Sequence, residues 1–164
     1  MTLRHWTILT VTAGWLLAAP APARAIELTG FVGLNLAPKT QTLWGASADI
    51  KILTVVRAEL ELANSGQKAA DGTPGTTTAL ASGMLRIPVG KWFVYATVGV
   101  GGFRQVLGTE TATGMATSFG GGVQVKLSGI VGARLDYRVI TLGSASSQAS
   151  LRQHRVYIGL HLTL

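Results

Sequence analysis

"IVGARLDYRV", Ile130 to Val139, decides the fold. Arg134, Asp136 and Arg138 share one parity; Val131, Ala133, Leu135, Tyr137 and Val139 share the other. A strand sends successive side chains to opposite faces, so this stretch reads as a strand with one ionic and one apolar face. The same separation recurs in both directions along the chain. "WGASADIKI" (44–52) sets Asp49 and Lys51 opposite Trp44, Ala46, Ala48, Ile50 and Ile52. "VRAELELA" (56–63) sets Arg57, Glu59 and Glu61 opposite Ala58, Leu60 and Leu62. "TALASGMLRI" (78–87) carries Arg86 on the face of Leu80, Ser82 and Met84. "ATSFGGGVQVKL" (116–127) sets Gln124 and Lys126 opposite Phe119, Val123, Val125 and Leu127.

With "ELTGFVGLNL" (27–36), "WFVYATVGVGG" (92–102) and "HRVYIGLHLTL" (154–164), eight such segments are present. Regular short alternating segments predict an all-β sandwich or barrel. The third contains good helix formers, with Arg57 and Glu61 four apart, but its clean alternation reads as a strand. The links differ in length. "LTV" (53–55), "PVGK" (88–91) and "SG" (128–129) are short. "NSGQKAADGTPGTT" (64–77), "FRQVLGTETATGM" (103–115) and "ITLGSASSQASLRQ" (140–153) are long, and "APKTQTL" (37–43) is intermediate. Short turns at one end and long loops at the other predict an eight-stranded antiparallel up-and-down barrel, with the last strand pairing to the first.

Composition agrees. The 164 residues are 48% hydrophobic and 13% charged, yet no internal apolar run reaches the 18 or so residues of a membrane helix. There is no Cys, so stability does not come from disulfides. Residues 1–25 read as a cleavable signal peptide: Arg4 and His5, an apolar core from Thr7 to Ala19, and Ala23-x-Ala25 before the cut. The core is short for an uncleaved anchor. The working domain is then 26–164, and its 12 basic and 7 acidic residues leave a net charge of +5. The basic residues stand singly, which argues against nucleic acid as a partner.

Alternation alone fits a soluble lipocalin-like barrel with its apolar face inward, or a membrane barrel with that face outward. Three features favour the membrane barrel. The ionic face holds both signs: Glu27, Asp49, Lys51, Arg57, Glu59, Glu61, Arg86, Lys126, Arg134, Asp136, Arg138 and Arg155, seven basic and five acidic. Such a set can pair inside a narrow lumen. Trp44, Phe119 and Tyr137 fall toward the long-loop end and Trp92 toward the short-turn end, as interfacial aromatics do. The final segment continues to the last residue, and the Gly-x-Trp expected of a lipocalin is missing.

"YIGLHLTL" (157–164) resembles the C-terminal signal by which outer-membrane barrels are recognised for assembly. Tyr157, Gly159, Leu162 and Leu164 fall on its recognised positions, with Leu164 in place of the usual Phe. "GKWFVYATVGVGG" (90–102) and "FGGGVQVKLSGIVGARLDYRV" (119–139) resemble the second half of the small eight-stranded outer-membrane barrels, the opacity-protein and OmpA-transmembrane-domain group. The resemblance implies a monomer in the bacterial outer membrane, surrounded by its lipids and delivered by periplasmic chaperones and the barrel assembly machinery. It implies fold and location more than activity.

Chemical motifs are sparse. The glycines at 99, 101, 102 and 120–122 lack the strand-loop-helix context and the Lys-Ser/Thr of a phosphate loop, and read as relief of crowding in a narrow barrel. His154 lacks the Ser two residues on that marks lipid-A-modifying barrel hydrolases; Ser150 or Glu110 would be its alternative partners. No metal-ligand set stands out, and no cofactor or enzymatic activity is expected. An eight-stranded barrel is just wide enough to be filled by side chains, so the ionic face predicts a plug, with a narrow pore as the alternative. Lys68, Asp71, Arg104, Glu110 and Arg152 are expected on the long loops, where a surface interaction would reside.

Overall fold

The computed structural model describes residues 26–36, 39–67, 72–144 and 151–164. The expected signal peptide lies outside them. Eight strands follow in order: β1 (Ile26–Asn35), β2 (Gln41–Lys51), β3 (Val56–Ser65), β4 (Gly75–Val89), β5 (Trp92–Leu107), β6 (Glu110–Ser128), β7 (Val131–Ser144) and β8 (Leu151–Thr163). Each pairs antiparallel with its sequence neighbours, and β8 returns to β1 from Glu27↔Thr163 to Asn35↔Arg155, closing the barrel. Closure leaves no strand edge with unpaired backbone groups, the condition for crossing hydrocarbon.

All eight predicted strands are present, and several are longer than their polarity pattern. The expected loop 103–115 is a hairpin. Its ladder continues from Phe103↔Gly114 to Leu107↔Glu110, and the chain reverses at Gly108 with φ 61°. The expected four-residue turn 88–91 tightens in the same way. Pro88 and Val89 pair with Phe93 and Trp92, and Gly90 takes φ 61°. Positive φ costs glycine little, which suits it to two-residue reversals. The "SG" turn shifts by one residue: the register slips between Lys126 and Ser128, and Ile130 falls in the turn instead of starting β7.

Burial alternates strictly along most strands, and it is the ionic parity that is buried. In β3, Arg57, Glu59 and Glu61 are buried while Leu60 and Leu62 are 66% and 63% exposed. In β8, Tyr157 and His161 are buried while Ile158, Leu160 and Leu162 are exposed. The sheet is therefore inside out relative to a water-soluble barrel, against the lipocalin alternative. From His154 to Leu164 the chain takes ten steps. At about 3.3 Å each and a tilt of about 40°, they rise about 25 Å, the height of a membrane barrel's apolar band.

The interior has two layers. Toward the long-loop end it is mixed: Leu80, Phe103, Ala116, Ile140 and Leu142 form one apolar cluster, Phe31, Leu43, Ala63 and Tyr157 another, and Asn35, Thr78, Gln153 and Arg155 are buried in the same half. Tyr157 stacks on Phe31 with ring centroids 4.3 Å apart. Toward the short turns the interior is ionic. Gly122 makes room for Tyr95 in this layer, since a Cβ there would lie 2.5 Å from the Tyr95 hydroxyl oxygen.

Candidate functional site

Among the described residues the buried charges number five carboxylates and five guanidiniums: Glu27, Asp49, Glu59, Glu61 and Asp136 against Arg57, Arg86, Arg134, Arg138 and Arg155. Period-two geometry on neighbouring antiparallel strands aims them at a common axis. β3 and β7 supply the centre. Arg134 donates to both oxygens of Asp136, at 2.7 and 2.8 Å, and to Glu59 at 2.7 Å. Arg138 donates to the other Glu59 oxygen at 2.6 Å and pairs with Glu61 at 3.0 Å. The Tyr157 hydroxyl donates to Glu61 at 2.7 Å, and Arg134 donates to the Tyr95 hydroxyl at 3.2 Å. Bidentate guanidinium–carboxylate pairs are the geometry in which buried ions best recover their lost hydration.

A second cluster lies nearer the short turns. Glu27 accepts from Arg86 at 3.0 Å and from Gln124 at 2.9 Å, and pairs with Arg57 at 3.3 Å. Arg57 also donates to Asp49. Gln124 Nε2 lies 2.7 Å from His161 Nε2. Arg155 stands apart, held by neutral oxygens: Thr78 Oγ1 at 2.9 Å and Gln153 Oε1 at 2.9 Å.

Ten of the twelve charged residues placed on the ionic face are thus buried inside the barrel. Lys51 and Lys126 are the corrections. Both have the inward parity, but they lie at the last turns of β2 and β6, where the barrel opens, and both are exposed. Parity fixes the face of a residue, not its depth. Tyr95, Gln124, Gln153, Tyr157 and His161 add further hydrogen-bonding side chains to the interior, and their inward parity is the sequence signal for them. In the sequence Tyr157 reads as part of an assembly signal; in the structure its ring is inside, as is Gly159, while Leu162 and Leu164 face outward.

The outer face carries the aromatics. Trp44, Trp92, Phe119 and Tyr137 are 60%, 51%, 69% and 47% exposed. Trp92 opens β5 at the short turns, and Trp44 lies near the opposite end of β2. Tyr137 meets His154 on the outer face, hydroxyl to Nδ1 at 2.7 Å, with Asn64 donating to Thr77 at 2.8 Å near the loop end of β3 and β4. Phe119 and Tyr137 differ from their expected places near strand ends, because β6 runs from Glu110 to Ser128 and β7 from Val131 to Ser144, which leaves both mid-strand. His154 is thus engaged with Tyr137, Glu110 begins β6, and Ser150 lies outside the described residues. Among the described residues no three metal-ligating side chains converge. Of the expected loop charges, Arg104, Glu110 and Arg152 are exposed residues of strands; Lys68 and Asp71 lie outside the described residues.

An apolar exterior around a closed antiparallel cylinder with paired ions inside is now in view. Solved structures share it. Neisserial surface protein A superposes with a TM-score of 0.67 at 12% identity, over 86% of this chain and 97% of that one. This is the fold of an eight-stranded transmembrane β-barrel. The N-terminal β-barrel domain of Pseudomonas aeruginosa OprF matches at a TM-score of 0.63 and 11% identity, over 85% of this chain and 97% of that one. Ail, the attachment invasion locus protein of Yersinia pestis, matches at 0.54 and 11%, over 86% and 98%. No protein-family model and no curated protein sequence matches the chain. At these identities the likeness is one of fold.

Proposed function

We propose that the chain is a bacterial outer-membrane barrel with a plugged lumen, which acts as a structural element and presents its long-loop end for surface interaction. The observation that carries this reading is the inverted polarity of the sheet. Leu60 and Leu160 face outward, while Glu59, Arg138 and Arg155 are sealed within. The apolar clusters adjoin the ion pairs toward the loop end, and Thr78, Gln153 and Arg155 are buried with them, so the interior is occupied beyond the central ions. The β5–β6 hairpin favours a surface role: it continues as a paired ladder past Arg104 to the reversal at Gly108. In this reading the surrounding lipids contact the outer face, and Tyr157, Gly159, Leu162 and Leu164 form the segment handed by periplasmic chaperones to the barrel assembly machinery. The barrel then works as a monomer, with no cofactor and no catalytic centre, behind a signal peptide cut after Ala25.

Chain 26–164 refolded in detergent is expected to run faster on gels unheated than boiled, and to precipitate when detergent is removed. Reconstituted in a planar bilayer, it is expected to give no discrete conductance steps. Reproducible open steps would replace the plug by the narrow-pore reading, and a folded, soluble chain without detergent would refute the membrane assignment.

A further inference from the structure

The short-turn mouth of the barrel is a cavity of about 340 Å³ lined by Lys51, Arg57, Arg86, Lys126, Glu27 and Phe93, among others. The buried charges of the lumen balance, but the two lysines are additional to that balance. Neither ammonium makes an ion pair among the described residues. Glu27 is already shared between Arg57, Arg86 and Gln124, and Asp49 is engaged by Arg57. Among side chains, the mouth therefore holds four cations against two committed carboxylates. Two further observations point inward to a ligand. Arg86 is 7% exposed and lines the cavity, and its Nε, itself shielded from solvent, has no hydrogen-bond partner. Its guanidinium carbon lies over the Phe93 ring, 3.9 Å from the centroid, with Lys126 Nζ 5.9 Å from the centroid of the same ring. A planar donor fixed against an aromatic wall is pre-organised, so an oxyanion meeting it loses little further freedom of the protein.

We propose that this mouth is an anion site for a phosphate group, seated between Lys51 and Lys126 and hydrogen-bonded by Arg86. A tetrahedral oxyanion has enough acceptor oxygens for two ammonium groups and one guanidinium at once. A free phosphate and the headgroup of a lipid at the rim offer this same chemistry. The site stands whether or not the loop end binds a partner, since it rests only on the barrel's own geometry.

The test uses chain 26–164 refolded in an uncharged maltoside detergent, with the Arg86 Nε–H resonance followed by NMR. Inorganic phosphate is titrated in one arm and micelle-doped short-chain phosphatidylglycerol in the other. A saturable shift of that resonance in either arm is expected. Saturation by inorganic phosphate identifies a site open to free anions, and saturation by the lipid alone identifies a headgroup site. The Lys51→Gln, Lys126→Gln double variant is expected to bind the effective probe at least about tenfold more weakly. Arg104→Gln, a charge removed at the opposite end, is expected to leave the affinity unchanged. No saturable shift in either arm, or equal affinity in the double variant, would overturn the site.

Discussion

Glu59→Gln is expected to destabilise the folded barrel by about 3 kcal/mol, because it removes the carboxylate that two buried guanidiniums share. Glu59 accepts from Arg134 at 2.7 Å and from Arg138 at 2.6 Å, and it is 1% exposed. The amide can offer one oxygen but no charge, so five buried cations would face four carboxylates. Urea unfolding in lipid vesicles, read by gel mobility, measures the loss. Glu110→Gln, at an exposed position, is expected to stay within about 0.5 kcal/mol of the parent. Combining Glu59→Gln with Arg134→Gln is expected to cost less than the sum of the single losses, since the partners act as a unit. Strict additivity would mean that the ions do not cooperate across the lumen.

The second large effect separates adjacent residues of β7. Leu135 is 49% exposed on the outer face and Arg134 is 4% exposed on the inner one. Leu135→Arg places a guanidinium in the apolar band, at a cost of about 2–4 kcal/mol near its midplane. The variant is expected to co-float poorly with vesicles after dilution from urea. Arg134→Leu strips Asp136 of its bidentate partner and Glu59 of one donor, but brings no charge into lipid. It is expected to insert, and then to unfold at lower urea. Equal, mild effects from both substitutions would contradict the assignment of faces.

The faces were legible because polar and apolar residues alternate without interruption where the lumen is ionic. Arg57-x-Glu59-x-Glu61 and Arg134-x-Asp136-x-Arg138 carry opposite polarity to their neighbours, so one parity suffices to place them. Toward the loop end that contrast disappears. Leu43, Phe103, Ile140 and Leu142 are buried inside the barrel, yet in the sequence they fall within links 37–43, 103–115 and 140–153. An interior that mixes apolar and neutral polar side chains, next to an exterior of threonines and glycines, looks like a loop when the ionic stripe is the guide. Thr111 and Thr113 extend β6 through their ladder to Val106 and Arg104, a pairing that no hydrophobic period announces.

Depth was the other quantity beyond the pattern. Lys51 shares the parity of Asp49, and Lys126 that of Gln124, so the sequence groups all four. Two residues along a tilted strand carry a side chain several ångströms along the axis, from the sealed interior to the open mouth. Phe119 shows the same limit on the outer face. Its distance from a strand end depends on where β6 stops, and that is set by pairing with β5.

The orientation of the sheet is tested most directly by NMR of the methyl-labelled chain in nanodiscs, through nuclear Overhauser contacts between side-chain methyls and lipid acyl chains. No residue needs to be changed. Contacts are predicted for Leu60, Leu62, Val98, Val100 and Leu160, and none for Leu43, Leu80, Ile140 and Leu142. Acyl-chain contacts to the second group with none to the first would contradict an apolar exterior wrapped around an ionic lumen.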